Sequence, residues 1–598
     1  MKNEAYEALS KERKELQAKG DLPVWFTTMG WMMIKNKEYL HANRSLRETF
    51  EVMAATAARH LTKLGSEKQA YYQKRFFELL WDGHLGAATP VFNLGTPKGC
   101  PVSCAGSYVG DSVLDFYESA LEAAMLTKEC FGTSSYLGDI RPRGSSISRG
   151  GESQGVVPVF KMMSQVMTDV SQGTARRGSW AGYLPLSHGD FDEIVDLIMK
   201  DPEGRNLGII YHDDDLKRLA EHDPETIRRY QKHMTLRAIH GKGYFWFVDR
   251  VKRMQPPMYA KFGLENKASN LCSEITLSQD IDHSYTCCLS SLNLARYDEW
   301  KDTDAVHVAT VFLDCVISEF LSIVDAMPPK ERRVFERVYQ GTVKSRALGL
   351  GVTGFHTLLR TKMIPFESSE CKRLNIEIFK HIHDQSLEAS QMLARELGEP
   401  EWCVGFGVRN THRTAVAPTM SNSIILGTVS PSIEPEIGVG FSQKVASGTI
   451  HRLIPEFSKL MSEKGRQSED EIYRIVTELD GSVQTLDYLT DFEKEVFKTA
   501  YEIDQKTIID LAADRAPYIC QHQSINLMFD GNAKEEEISD VHLYAAFNPR
   551  IKGLYYMRSK STSKGSQKHA TEDTSLTHAL NHVSDSDDGG DECLSCQG

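Results

Sequence analysis

The strongest constraint on this chain is an alternation: long amphipathic helical stretches exchange with short apolar runs through its central and C-terminal parts. AVHVATVFLDCVISEFLSIVDAM (305–327) and ESSECKRLNIEIFKHIHDQSLEASQMLARELG (367–398) carry helical spacing, while RTAVAPT (413–419) and QSINLMF (523–529) read as strands. Strands joined by connections of this length can pair in parallel, so the expected class is α/β. Before about residue 85 the texture is helical throughout, as in RSLRETFEVMAATAARHLTKLG and SEKQAYYQKRFFELLWDG. From about 86 to 300 short apolar runs alternate with glycine-rich turns such as GTSSYLGDIRPRGSSISRGG. After LYYMRS the core-building residues run out. The stretch 559–598, rich in Ser, Thr, Asp and Gly, is expected to be a disordered tether. A flexible tail of that length has a root-mean-square span of roughly 30–35 Å.

Composition narrows the classes of function. The 598 residues are 41% apolar and 25% charged, with a net charge of −13, which argues against a protein whose main work is gripping nucleic acid backbone. No apolar run near 18 residues stands out as a membrane span, and the charged start MKNEAYEALSKERKELQ has no signal-peptide character. A cytoplasmic location is the default expectation, with no nucleic acid and no membrane as partners. Twelve cysteines are too sparse for a disulfide scaffold. The terminal pair Cys593 and Cys596 has no second Cys or His pair near it, so a redox role is expected there and no metal site.

The stretch SNLCSEITL (269–277) carries the chemistry. If extended, it points Asn270, Cys272 and Glu274 to one side, gathering an amide, a thiol and a carboxylate in one volume. Taken alone the pattern is weak, because a buried cysteine is often only filler. The other motifs are CPVSCAGSYVGDS (100–112), TCCLSSLNL (286–294), RALGLGVTGFH (346–356), APTMSNSIILGTVSPSIEP (417–435), KGLYYMRS (552–559) and the tail pair. In this order they resemble the large (catalytic, alpha) subunit of class I ribonucleoside-diphosphate reductase, in its bacterial and phage branch, from about residue 20 to the C-terminus.

That resemblance implies an N-terminal helical domain (1–85), a ten-stranded α/β barrel whose central finger loop carries Cys272 (86–558), and a redox tail (559–598). It implies that Cys272 becomes a thiyl radical, that Glu274 acts as general base and that Asn270 holds the ribose. Cys104 and Cys287 would form the reducing dithiol, favoured by the family pattern over their neighbours Cys100 and Cys288. Tyr555 and Tyr556 would end a radical path from a partner, and Cys593 and Cys596 would re-reduce the dithiol. Substrate contacts would come from Thr89, Ser103, Thr419, Ser421 and Ser423. The family's acidic residue in this last motif is Met420 here.

The same resemblance assigns effector contacts to Asp111, Ser112, Arg141, Arg149 and Arg176 (or Arg177 beside it). It implies no tightly bound cofactor in this chain. Effectors would be ATP or deoxynucleoside triphosphates, with Mg2+, at a homodimer interface. The radical would be made by a dimetal-tyrosyl or related cofactor in a beta subunit, and thioredoxin or glutaredoxin would supply electrons. Many relatives begin with a nucleotide-binding cone, whereas this chain starts in the helical segment. The expectation is therefore specificity control without dATP inhibition through a cone. A cobalamin-dependent reductase needs no tyrosine pair, which disfavours that rival, and no glycyl-radical loop is visible near the C-terminus. The full set of thiols, amide and carboxylate argues against a scaffold that has lost catalysis.

Overall fold

The computed structural model describes residues 4–170, 178–445 and 448–560. Its N-terminal part is helical, with helices Glu4–Lys19, Thr28–Asn36, Leu46–Ala58 and Ser66–Trp81. Ser45 and Glu48 close a capping box at the start of the third. Gly65, at φ 88°, ends the 3-10 turn that follows and lets the next helix begin at Ser66. β1 (Leu85–Ala87) then leads into the barrel.

β2 (Cys104–Tyr108), β3 (Gly132–Tyr136), β4 (Trp180–Pro185), β5 (Asn206–Tyr211) and β6 (Tyr244–Phe247) pair in parallel in chain order. Helical crossovers connect them, such as Val113–Lys128, capped by Ser112, and Pro224–His240, which starts on a proline and stops at left-handed Gly241. β7 (Tyr285–Asn293) is antiparallel to β2 and parallel to β8 (Leu348–Thr353), and β1 pairs antiparallel with its C-terminal part, residues 290–292. The ladder continues through main-chain bonds. Leu350 N–H reaches Arg413 O (2.9 Å), and Val416 N–H reaches His522 O (3.0 Å). A separate hairpin, β9 (Gly440–Val445) with β10 (Gly448–Leu453), lies off this ring.

Closure comes from the C-terminal strands. β11 (Leu527–Phe529) pairs in parallel with β13 (Met557–Ser559), while β12 (Gly553–Leu554) pairs antiparallel with β6. Among the described residues the ring runs through strands β2–β6 in one half, and in the other through β7, β8, the bridged residues 414 and 416, and the stretches 522–529 and 553–559 that hold β11, β12 and β13.

One continuous apolar core runs from Phe50 and Phe76 in the N-terminal helices to Leu554 in the barrel. A separate small core, including Val439, Phe457, Ile475 and Phe497, lies under the hairpin segment. Helix Ala305–Asp325 is long and apolar enough to cross a membrane by length and composition, a feature the sequence pattern had not flagged. Its burial explains the composition: 78% of its most apolar window is inside the protein, with Phe312 edge-on to Phe76.

Candidate active site

Cys104 and Cys287 are direct register partners across the antiparallel β2–β7 pair, and both cysteines are fully buried. Facing positions in such a pair bring Cα atoms to about 4.5–5.5 Å, within the range that a disulfide spans. Gly349 on β8 leaves room for the Cys287 sulfur, since a Cβ there would lie 2.9 Å from Sγ. Burial, then the neighbouring Cys104 and Glu274, push the Cys287 thiol well above its ordinary value. Cys288 faces the other side by strand alternation, with Asp314 of helix Ala305–Asp325 as its charged neighbour. Cys100 precedes β2, its N–H bonded to Glu129 O.

The finger departs from the extended form expected of it. Residues 271–273 make a turn, with Ser273 in the left-handed region at φ 64°. The cause is local: Asn270 Oδ1 accepts N–H groups from Glu274 (3.0 Å) and Ile275 (3.3 Å), so a side chain replaces strand pairing. The convergence of the three residues therefore comes from a turn rather than from strand alternation. Asn270 Nδ2 reaches Cys104 Sγ at 3.6 Å. Ser524 Oγ donates to Cys272 O (2.6 Å) and to Glu274 Oε2 (3.3 Å). Cys272, Asn270 and Glu274 are all fully buried.

Both barrel halves hold this loop. From the first half, Ser134 Oγ donates to Ser269 O and Tyr183 OH to Asn270 O. From the second, His522 N–H reaches Glu274 O, and Gln521 accepts Thr276 N–H while its Nε2 points at Cys287 Sγ (3.8 Å). Burial holds the Tyr183 phenol protonated and able to donate.

Tyr555 OH donates to Cys272 Sγ at 3.5 Å. The Tyr555 and Tyr556 ring centroids are 4.2 Å apart. A third ring, Tyr244 of β6, packs against both and donates its hydroxyl to Tyr556 OH (3.1 Å). Tyr244, Gln521, Ser524 and Tyr183 were not singled out from the sequence. GYFWFVD reads as an ordinary core strand, and only the ring closure brings Tyr244 beside residues some 310 positions later, a separation of 312 for its hydroxyl partner.

The remaining expected residues are spread around this centre. Thr89 opens the short 3-10 helix after β1, 3.4 Å from Tyr39 OH, and Ser103 is buried beside Cys104. Helix Met420–Ile425 begins after Thr419, as the motif suggested, but Thr419 is left-handed (φ 54°) and its hydroxyl already bonds Thr353 Oγ1 and Ser432 N–H. Ser421 is buried, and Ser423 bonds back to Met420 O within the helix. Asp111 grips Arg141 through Nε (2.6 Å), and Arg141 also bonds Ser146 O. Ser112 caps the helix that follows, and Arg149 is exposed at the tip of the 141–153 loop. Arg176, Arg177, Cys593 and Cys596 lie outside the described residues.

A closed barrel that wraps a thiol-bearing loop beside a register-matched cysteine pair defines a buried-thiol oxidoreductase. The ribonucleotide reductase barrel-domain model matches residues 102–221, 227–403 and 400–557. The putative ribonucleoside-diphosphate reductase large subunit of Frog virus 3 is 33% identical over 539 residues, 86% of this chain and 91% of that protein. The large subunit from Invertebrate iridescent virus 3 is 28% identical over 88% of this chain and 92% of its own. The Actinobacillus ureae class Id ribonucleotide reductase alpha subunit superposes with a TM-score of 0.82 at 36% identity, covering 90% of this chain and 97% of that one. The chain belongs to the ribonucleotide reductase large-subunit family. It is an enzyme that reduces ribonucleotides to deoxyribonucleotides, with nucleotides as substrates and a small subunit as partner.

Proposed function

We propose that this chain reduces ribonucleoside diphosphates through a thiyl radical on Cys272, made when an oxidising equivalent from the small subunit arrives through Tyr556 and Tyr555. The observation that carries the proposal is the 3.5 Å approach of Tyr555 OH to Cys272 Sγ, on a loop whose Asn270 also touches Cys104. The thiyl takes the substrate 3′ hydrogen, and Glu274 accepts the 3′-OH proton. The 2′-OH leaves as water, taking up a proton from the dithiol. Cys104 and Cys287 supply two electrons and two protons in all and become a disulfide. Cys272 returns its hydrogen to C3′, which regenerates the radical. The net change is one diphosphate plus one dithiol giving one deoxynucleoside diphosphate, one disulfide and one water. A raised Cys287 pKa supports this role, because the thiol must keep its proton until it reacts. Burial of the loop shields the radical from solvent and stray reductants.

Cys593 and Cys596 then accept the oxidising equivalents by thiol–disulfide exchange and pass them to thioredoxin or glutaredoxin. Effectors (ATP or deoxynucleoside triphosphates with Mg2+) bind around Asp111, Ser112, Arg141, Arg149 and Arg176 beside a homodimer interface. Helix Val113–Lys128 supports the dimer: it exposes Val113, Leu114, Tyr117 and Leu121 along one stripe next to Asp111. The test is diphosphate reduction with the small subunit and a dithiol. Cys272→Ser should bind nucleotide normally and reduce none, and Cys593→Ser with Cys596→Ser should turn over with a small dithiol but stall with thioredoxin. Turnover by Cys272→Ser would refute the mechanism.

A further inference from the structure

Residues 555 and 556 sit at a step in the barrel. β12 faces β6 and β13 faces β11, and between them the named ladder is interrupted. Tyr555 N–H still reaches Ile525 O (2.8 Å), and Tyr556 O still accepts Leu527 N–H (3.1 Å). Tyr556 N–H is instead held by a side chain, Asn526 Oδ1, at 3.1 Å. The other end of that amide is fixed in turn: Asn526 Nδ2 donates to Glu434 Oε1 at 2.7 Å. Both residues are more than nine-tenths buried, at 6% and 8% exposure.

An ionised carboxylate only accepts hydrogen bonds. It therefore turns Asn526 Nδ2 toward itself and leaves Oδ1 for Tyr556. A protonated Glu434 has an O–H to donate, which suits the flipped amide and removes the acceptor from Tyr556 N–H. We propose that Glu434 and Asn526 are positioning residues for the tyrosine relay, and that the ionised form of Glu434 locks the Tyr556 main chain, and with it the Tyr244–Tyr555–Tyr556 stack, in register with Cys272. This rests on the relay reading of Tyr555 and Tyr556 given above.

The surroundings put the switch in a usable range. Glu434 shares a small cavity with apolar Phe366, Ile508 and Leu511, and burial raises its pKa to about 7. Arg558 on β13 opposes the rise. Arg515, from helix Gln505–Arg515, lines the same cavity and bonds Gln523 and Asn375. Because the active form is the ionised one, relay should strengthen as pH rises through neutrality.

The experiment uses the full-length chain with its small subunit. It measures kcat from pH 6 to 8, nucleotide Kd on the same preparations, and the yield of a trapped radical at position 556 carrying aminotyrosine. A single group near 7 predicts a rise of about tenfold in wild-type kcat across that range. Glu434→Gln, which keeps an oxygen acceptor but cannot ionise, should change less than about twofold over the same range, at unaltered nucleotide Kd. Asn526→Ala should lower kcat and trapped-radical yield about tenfold or more at unaltered Kd. If Asn526→Ala fails to bind nucleotide, the Glu434→Gln profile alone decides. Wild-type pH dependence in Glu434→Gln overturns the inference. Tyr556→Phe is run in parallel: full turnover there removes the relay reading and this inference with it. An inactive Tyr556→Phe beside unaffected Glu434 and Asn526 variants overturns this inference alone.

Discussion

Burial separates the cysteines of this chain by reactivity. Alkylation needs a thiolate, and Cys287 is held protonated by burial and by Cys104 and Glu274 beside it. Cys130 and Cys520 are partly exposed. In native protein at pH 8, iodoacetamide should label Cys287 about 100-fold more slowly than Cys130, from reduced thiolate population and access together. The Cys287 rate should still be climbing with pH above the ordinary thiol value of 9.0, because its pKa lies higher. Pulse labelling read by mass spectrometry checks both. Equal labelling of Cys287 and Cys130 at pH 8 would contradict the enclosed geometry.

The finger shows how one side chain organises a whole element. Asn270 Oδ1 holds the amides of Glu274 and Ile275, and its Nδ2 reaches Cys104. Asn270→Ala should lose about 100-fold in turnover, the scale of a small displacement of reacting groups. It should also speed hydrogen exchange at residues 274 and 275, whereas Asn270→Asp, which keeps the acceptor, should preserve that protection. Exchange mass spectrometry distinguishes the two. The helices and the thiol and tyrosine motifs were legible in the sequence, because periodicity and short motifs are local signals. The turn at 271–273 was not, because a side chain-to-backbone bond overrode the alternation that N-x-C-x-E suggests. Tyr244 and Gln521 were not legible either, since their meaning arises only when strands distant in sequence become neighbours. The composition of helix Ala305–Asp325 is explained only by the packing around it.

The whole molecule presents an apolar stripe beside the 141–153 loop. Val113 is 69% and Tyr117 65% exposed, on a helix that starts at the cap residue Ser112. On the dimer and effector site proposed above, Tyr117→Glu with Leu121→Glu should shift sedimentation from dimer to monomer and abolish the effect of added nucleotide effectors on substrate choice. A dimer that persists unchanged would place the interface elsewhere. The two-sided pinning of the finger has a further consequence, in the time domain. Ser524 holds the Cys272 carbonyl from 252 residues further along the chain, while Ser134 holds Ser269 from 135 residues before it. Contacts so distant form late in folding. On an emerging polypeptide the finger cannot be locked until residue 524 has left the ribosome. The pocket proposed to hold a radical thus matures only once residue 524 is in place, and a half-folded chain has no means of sustaining one.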